Sequence, residues 1–202
     1  AGHAAALVEG DKALIAGGFA SSDAGLAPTQ SAFTVTAEGK VQEIEGGLGE
    51  AAAFPRAAEL AAGIVLIAGG YGFDAEGALA ASDNIRVYKA GVISRAGKDV
   101  ALKTGLMFHT ISVFPGGEAL FVGGAPVAPA VFDPRGGEND SKWVFDMPKL
   151  GGKIVMLKRQ RHAAAGLPAA LSSGAQTYDF IVAGGISAGK SELLDDLIHI
   201  EA

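Results

Sequence analysis

Two hundred and two residues, 49% of them hydrophobic, with a mean hydropathy of +0.31, suffice for one sizeable core or a stack of small repeated units, and they exclude intrinsic disorder. Sixteen Lys and Arg against 22 Asp and Glu give a net charge of −6, the wrong sign for neutralising phosphates, so no nucleic-acid partner is expected. The lack of cysteine removes disulfides, thiolate metal sites and cysteine nucleophiles. Thirty glycines and apolar runs of about five to seven residues, against the roughly 18 of a membrane helix, read as short strands and tight turns with no membrane span.

In chain order the strands recur as a unit. The first unit has a strand at His3-Ala4-Ala5-Ala6, a second at Ala13-Leu14-Ile15-Ala16 running into Gly17-Gly18, a third at Ala32-Phe33-Thr34-Val35-Thr36 and a fourth at Val41-Gln42-Glu43-Ile44. The second unit repeats this with Arg56-Ala57-Ala58, Val65-Leu66-Ile67-Ala68 before Gly69-Gly70, Asn84-Ile85-Arg86-Val87-Tyr88, and Val92-Ile93-Ser94-Arg95. The third has His109-Thr110-Ile111-Ser112, Ala119-Leu120-Phe121-Val122 before Gly123-Gly124, Lys142-Trp143-Val144-Phe145, and Ile154-Val155-Met156-Leu157. The fourth has Arg161-His162-Ala163-Ala164-Ala165, Phe180-Ile181-Val182-Ala183 before Gly184-Gly185, and Asp196-Leu197-Ile198-His199-Ile200.

The first glycines of the doublets lie 52, 54 and 61 residues apart, and a basic residue precedes them by 14, 13, 14 and 22. The long fourth spacing comes from a polar insertion, Pro168 to Thr177. Each unit therefore reads as a four-stranded antiparallel meander of about fifty residues. A doublet without side chains lets neighbouring units approach closely and lets the chain leave the strand at positive φ.

On the strand-plus-Gly-Gly phrase, the preceding basic residue and the period, essentially the whole chain resembles the Kelch-repeat family of β-propellers. It departs from that family in lacking a tryptophan on the outer strands, since the lone Trp143 falls on a third strand. The resemblance implies an all-β Kelch-like propeller of four-stranded antiparallel blades. Four are detectable, at 1–52, 53–105, 106–158 and 159–202, and the last lacks its outer strand. With no spare strand to close a ring, the expectation is a piece of a larger propeller or a ring completed by a second polypeptide, because open blade edges and apolar faces aggregate. The alternative is four blades closing on themselves. The resemblance also implies a non-enzymatic scaffold whose loops on one face bind a protein or carbohydrate partner.

One motif competes with this reading. Gly184-Gly185-Ile186-Ser187-Ala188-Gly189-Lys190-Ser191 fits the phosphate-binding pattern G-x-x-x-x-G-K-[ST] and precedes a segment, 192–197, with helical character. A nucleotide-binding loop of that type needs further parallel strands, one of them carrying a metal-binding Asp, and only eleven residues follow Ser191. Gly184-Gly185 is instead the fourth copy of the repeat.

Ten of the 22 acids fall in the loops after the doublets, among them Asp74, Glu76, Asp83, Asp133, Asp140, Asp195 and Asp196. On one face of a propeller they would form an acidic surface for a partner or for Ca²⁺, although none of the loops has the D-x-D-x-D-G spacing of a calcium loop. Arg56, Lys103, His109, Arg159, Arg161 and His162 lie in the connections between units, where they brace neighbouring blades by hydrogen bonding. In the alternative reading Arg56, His109, Arg161 and His162 form a pocket for an anionic sugar, as in propeller enzymes resembling sialic-acid isomerases. His3, His109, His162 and His199 lack metal-ligand spacing, so no metal centre or other cofactor is expected. There is no G-x-S-x-G elbow, and no catalytic residue is assigned. No signal peptide is legible before Ala1, and any export signal is expected to be gone. Low Lys with high Ala and Gly suits an extracellular or cell-surface bacterial protein, with the cytoplasm left open.

Overall fold

The computed structural model describes residues 1–23, 25–96, 102, 105–113, 119–124, 130–132, 149–150, 153–154, 159–166, 179–187 and 192–201. The chain divides into two compact units, Ala1–Met107 and Phe108–Ala202. The described residues contain antiparallel strands and no helix.

The first unit holds two complete meanders. Strand β1 (Ala4–Val8) pairs with β2 (Lys12–Ala16), and a hairpin, β3 (Phe19–Ser22) with β4 (Gly25–Pro28), follows the first glycine doublet. The chain then returns along β2 as β5 (Ala32–Val35), with β6 (Val41–Glu43) outside it, giving the order β1-β2-β5-β6. The second meander repeats each step: β7 (Arg56–Ala61), β8 (Ile64–Ala68), the hairpin β9 (Tyr71–Phe73) with β10 (Leu79–Ala81), then β11 (Ile85–Lys89) and β12 (Val92–Arg95), in the order β7-β8-β11-β12. The turn from β11 to β12 is two residues, Ala90-Gly91, both at positive φ (50° and 86°), the hairpin geometry that suits twisted strands and favours glycine.

The packing follows from side-chain alternation. Leu14 and Ala16 on β2, Val65 and Ile67 on β8, and Val8, Ile44, Leu48 and Tyr88 form one apolar cluster between the two sheets. Strands β1 and β7, the first of each meander, run beside one another. Strand β8 is rich in β-branched residues and has both faces covered: Val65, Leu66, Ile67 and Ala68 are all at most 2% exposed.

In the second unit β13 (Thr110–Val113), β14 (Ala119–Val122) and β15 (Ala130–Phe132) form a three-stranded sheet. A short hairpin follows, β16 (Lys149–Leu150) with β17 (Lys153–Ile154). The last meander starts with β18 (Arg159–Gln160), continues through β19 (Ala163–Gly166) and β20 (Asp179–Ala183), passes β21 (Ile186–Ser187), which pairs back onto β18, and ends with β22 (Leu197–Glu201). Its main sheet has the order β19-β20-β22, and β13 runs beside β19.

Three expectations are corrected. The strand beside β14 in the third repeat is β15, not 142–145, which lies outside the described residues; β13 and β15 occupy both edges of β14. The physical reason is loop length. The first two repeats place 14 and 15 residues, including a hairpin, between the first glycine and the third strand, whereas six residues lie between Gly123 and Ala130. Ile154 belongs to the β16–β17 hairpin and not to the sheet of β14, and 155–157 lie outside the described residues. The segment 192–197 is not helical: Leu193 bridges to Ile186 and Leu197 opens β22. The insertion 168–177 also lies outside the described residues.

The doublets share one conformation. First glycines have φ of 67°, 63°, 64° and 58°, and second glycines 101°, 95°, 93° and 108°. The second glycine's N–H donates forward into the next repeat, from Gly18 to the Ala52 carbonyl, Gly70 to Leu106 and Gly124 to Arg159, each at 2.7 Å. A Cβ at the first glycine would strike that same carbonyl and the residue that covers it: Pro55 Cγ at 3.1 Å from Gly17, His162 Cε1 at 2.5 Å from Gly123. A Cβ at the second would strike the lead-in to its own repeat's first strand: Ala1 and His3 for Gly18, Ala53 and Pro55 for Gly70, Gln160 and His162 for Gly185.

These contacts set the register of the repeats. Each first strand is preceded by a residue at positive φ, Gly2 (73°), Phe54 (53°), Phe108 (59°) or Arg161 (55°), and then by His3, Pro55, His109 or His162. The residue equivalent to His3, His109 and His162 is therefore Pro55, and Arg56 is the first residue of β7. Pro55 covers Gly17 and His162 covers Gly123 with a compact ring, a contact that proline and histidine both supply.

Candidate functional site

A polar cleft of about 740 Å³ opens in the first unit, lined by Glu50, Asp83, Asn84, Arg86 and Arg95 together with residues of the β9–β10 hairpin. Its floor starts from a conflict. The register of β11 and β12 sets Arg86 opposite Arg95, and like charges directly opposite on a sheet repel. Glu50, from the segment joining β6 to β7, resolves it. Its Oε1 lies 3.3 Å from Arg86 Nη2 and 2.6 Å from Arg95 Nη2, and its Oε2 accepts a hydrogen bond from Asn84 Nδ2.

The two arginines are not equivalent. Arg86 has a side chain 7% exposed, and its Nε donates to the Leu48 carbonyl at 2.8 Å, so it ties the β6–β7 segment to the second sheet. Arg95 is 60% exposed and presents the rest of its guanidinium to solvent. Burial weakens Arg86's hold on its proton, and the charge of Arg95 adds to this, while Glu50 opposes both.

Burial also acts on Glu50, raising its pKa. The Arg95 hydrogen bond, the field of Arg86, the Asn84 hydrogen bond and the field of Arg95 together outweigh it, so its carboxyl titrates below the ordinary 4.5. Because the folded state holds this proton less tightly than the unfolded chain, the stability it contributes is present above pH 4.5 and is lost as pH falls through the lower folded value. Denaturant unfolding of wild type and Glu50→Gln between pH 7 and 3 should therefore show wild type the more stable at neutral pH, with the gap closing below 4.5. A gap that stays constant with pH would mean that Glu50 is not held as a carboxylate between the arginines.

The acids singled out in the sequence have different fates. Asp83 lines the cleft beside Arg86. Asp74 also lines it, but its Oδ1 accepts hydrogen bonds from the N–H groups of Glu76 (3.1 Å) and Ala78 (2.7 Å), closing the β9–β10 turn. Glu76 and Asp195 are exposed. Asp196 accepts both arms of Arg159 at 2.9 and 2.8 Å, a hydrogen-bonded pair that lowers its carboxyl pKa, and Arg159 also donates to the Gly184 carbonyl. Asp133 and Asp140 lie outside the described residues, and in sequence they follow β15 instead of preceding the third strand. Among the described residues no three His, Asp or Glu side chains are grouped to hold a metal ion.

The basic candidates are placed separately. Arg56 is exposed at the start of β7. In the second unit His109 is fully buried, its ring 5.8 Å from that of Phe121, while His162 is 6% exposed with Nε2 2.9 Å from Thr110 Oγ1, between the first strands of two repeats. Arg161 is exposed, its guanidinium 4.4 Å from the centre of the Phe108 ring. None of the four lines the described cleft.

The G-x-x-x-x-G-K-[ST] segment is not built as a phosphate cradle in its described part. Gly185 leads into β21, the Ser187 N–H donates to the Glu192 carbonyl and the Leu194 N–H to the Gly185 carbonyl, so the chain returns on itself where a helix would begin.

Glu50, Asn84, Arg86 and Arg95 were not singled out from sequence. Arg86 left a signal, a charged residue set between the apolar Ile85 and Val87, whereas nothing local marks Glu50 as its partner. Fold and site together define an all-β protein of repeated antiparallel meanders with a polar cleft at one of them. No protein-family model matches the chain, and no curated protein matches it significantly. No helix among the described residues is long and apolar enough to cross a membrane.

Proposed function

We propose that this protein is a non-enzymatic binding module, a Kelch-like propeller or part of one, whose loops on one face take up a protein or carbohydrate partner. The observation that carries the reading is the cleft: a polar recess in which Glu50, Asn84 and Arg86 hold one another and leave Arg95, Asp83 and Ser82 at its wall. Such a recess offers donors and acceptors to hydroxyl groups or to a peptide backbone. The doublet latches and the paired first strands within each unit support the propeller reading, because they join consecutive meanders by their inner strands. Burial of His109 and His162, and the absence of Arg56 and Arg161 from the cleft, favour a scaffold over an enzyme acting on an anionic sugar. We also propose that a second chain or further blades complete the ring, and that the protein works outside the cell or at its surface.

The test is a titration of ¹⁵N-labelled protein with neutral and acidic oligosaccharides and with peptides, followed by NMR. Shifts should centre on Asn84 and Arg95 and disappear in Arg95→Ala. Saturable binding that leaves these residues unmoved, or turnover of a panel member, would overturn the reading.

A further inference from the structure

We propose that the two hairpins of the first unit form an aromatic docking ridge for a protein segment whose apolar residues are flanked by Lys and Arg. This deepens the binding-module reading and rests on it, but it places the contact on the hairpins, which share only Phe73 and Asp74 of the ridge with the cleft wall and leave Arg95 outside the ridge. The centre of the ridge is Phe54. A bulky residue at a φ of 53° is strained, and here the same position in the first repeat is Gly2. Phe54 is nevertheless 39% exposed, its ring lying over Gly2 and meeting Phe19 (5.5 Å, 76°) and Tyr71 (6.4 Å, 62°) edge to face.

The hairpin registers extend the apolar surface on both sides. Phe73 stands opposite Leu79, two residues along the pleat from the Tyr71–Ala81 pair, so Tyr71, Phe73 and Leu79 share one face of β9–β10. In the other hairpin Leu26 stands opposite Ser21, two residues from the Phe19–Pro28 pair and on the same face as Phe19. Phe73, Leu79 and Leu26 are 51%, 57% and 74% exposed. Large apolar side chains left in water on two hairpins whose aromatic rings meet at Phe54 are the mark of an interaction site.

Charge specifies the partner. The turns at the ends of the two hairpins carry exposed Asp23, Asp74 and Glu76, and neither hairpin has a Lys or Arg. Residues 1–107 hold eight Lys and Arg against twelve Asp and Glu, so the surrounding field has the same sign. An apolar segment with basic flanks would cover the rings and meet the acids at the rim, where charge complementarity selects the partner and speeds its approach.

The experiment selects peptides of about twelve residues from a random displayed library on the immobilised full chain, then measures the affinity of the selected peptides by fluorescence anisotropy. The expected peptides have apolar residues flanked by Lys or Arg. They should lose about tenfold or more in affinity to Phe73→Ser/Leu79→Ser, and several-fold to Glu76→Lys or on raising salt, as anchor and rim contacts respectively should. Circular dichroism confirms that the variants are folded; if the double serine variant is not, Asp23→Lys/Glu76→Lys tests the same face at its exposed turns. Peptides that bind the ridge variants as tightly as wild type overturn the proposal. If those peptides are lost instead in Arg95→Ala, the ridge falls and the cleft reading stands. If neither peptides nor oligosaccharides bind the folded protein, both readings fall.

Discussion

Replacing Gly70 with alanine is expected to destabilise the first unit by about 3–5 kcal/mol. Two costs add. The residue sits at a φ of 95°, outside the basins open to an L side chain, and the new Cβ would lie 2.5 Å from the Ala53 carbonyl oxygen and 2.8 Å from the Pro55 nitrogen. Both are backbone atoms at the start of the second repeat, so relief requires the lead-in to β7 to move. That would disturb the Gly70 hydrogen bond to Leu106 and the Ala53–Tyr71 bridge as well. Gly91→Ala is the control. Its φ is 86°, but nothing lies within 4 Å of the added Cβ, so it should cost only the backbone strain, about 1–2 kcal/mol. Denaturant unfolding of the two variants separates conformational strain from close approach. Equal losses would mean that the doublet is kept for its dihedral angles alone.

Arg86→Ala should cost about 2–3 kcal/mol, and Arg86→Lys about 1–2 kcal/mol. The alanine variant removes the packed stem and the Nε bond, leaving the buried Leu48 carbonyl without its donor. Lysine keeps a charge and most of the stem, but it cannot address the Leu48 carbonyl and Glu50 with separate nitrogens of one planar fork. Arg95→Ala should lie within about 0.5 kcal/mol of wild type, because an exposed partner of Glu50 contributes little. The contrast tests the division of labour in the cleft: Arg86 anchors the β6–β7 segment, and Arg95 faces solvent. Arg86→Ala leaving the unfolding midpoint unchanged would show that the segment is held by the apolar contacts of Leu48 alone.

The strands and doublets were legible because their causes are local. The continuous apolar run in β2 and the β-branched run in β8 announce strands by themselves, and a pair of glycines at a fixed place in each unit announces a backbone that cannot carry a Cβ. The third strand of the third repeat was misplaced for an equally definite reason: the first two repeats set the expectation of a long loop, and nothing in the sequence marks Ala130–Phe132 as arriving early. Charge aligns Arg56 with His3, His109 and His162, whereas the place after a positive-φ residue and before the first strand makes Pro55 their equivalent, its ring lying over Gly17 as that of His162 lies over Gly123.

From sequence alone came the all-β character, the repeated meander and the need for glycine at each doublet. These depend on residues within a few positions of one another, whose dihedral and burial preferences the chain expresses wherever it folds. Tertiary structure alone decided what joins the repeats and what lines the cleft. Glu50 meets Asn84 from 34 residues away and Arg95 from 45, and those meetings exist only once two sheets share a core. A carboxylate and two arginines scattered over that distance look like solvated surface until packing buries Arg86 and brings Glu50 and Arg95 to it, and only then do their charges select one another.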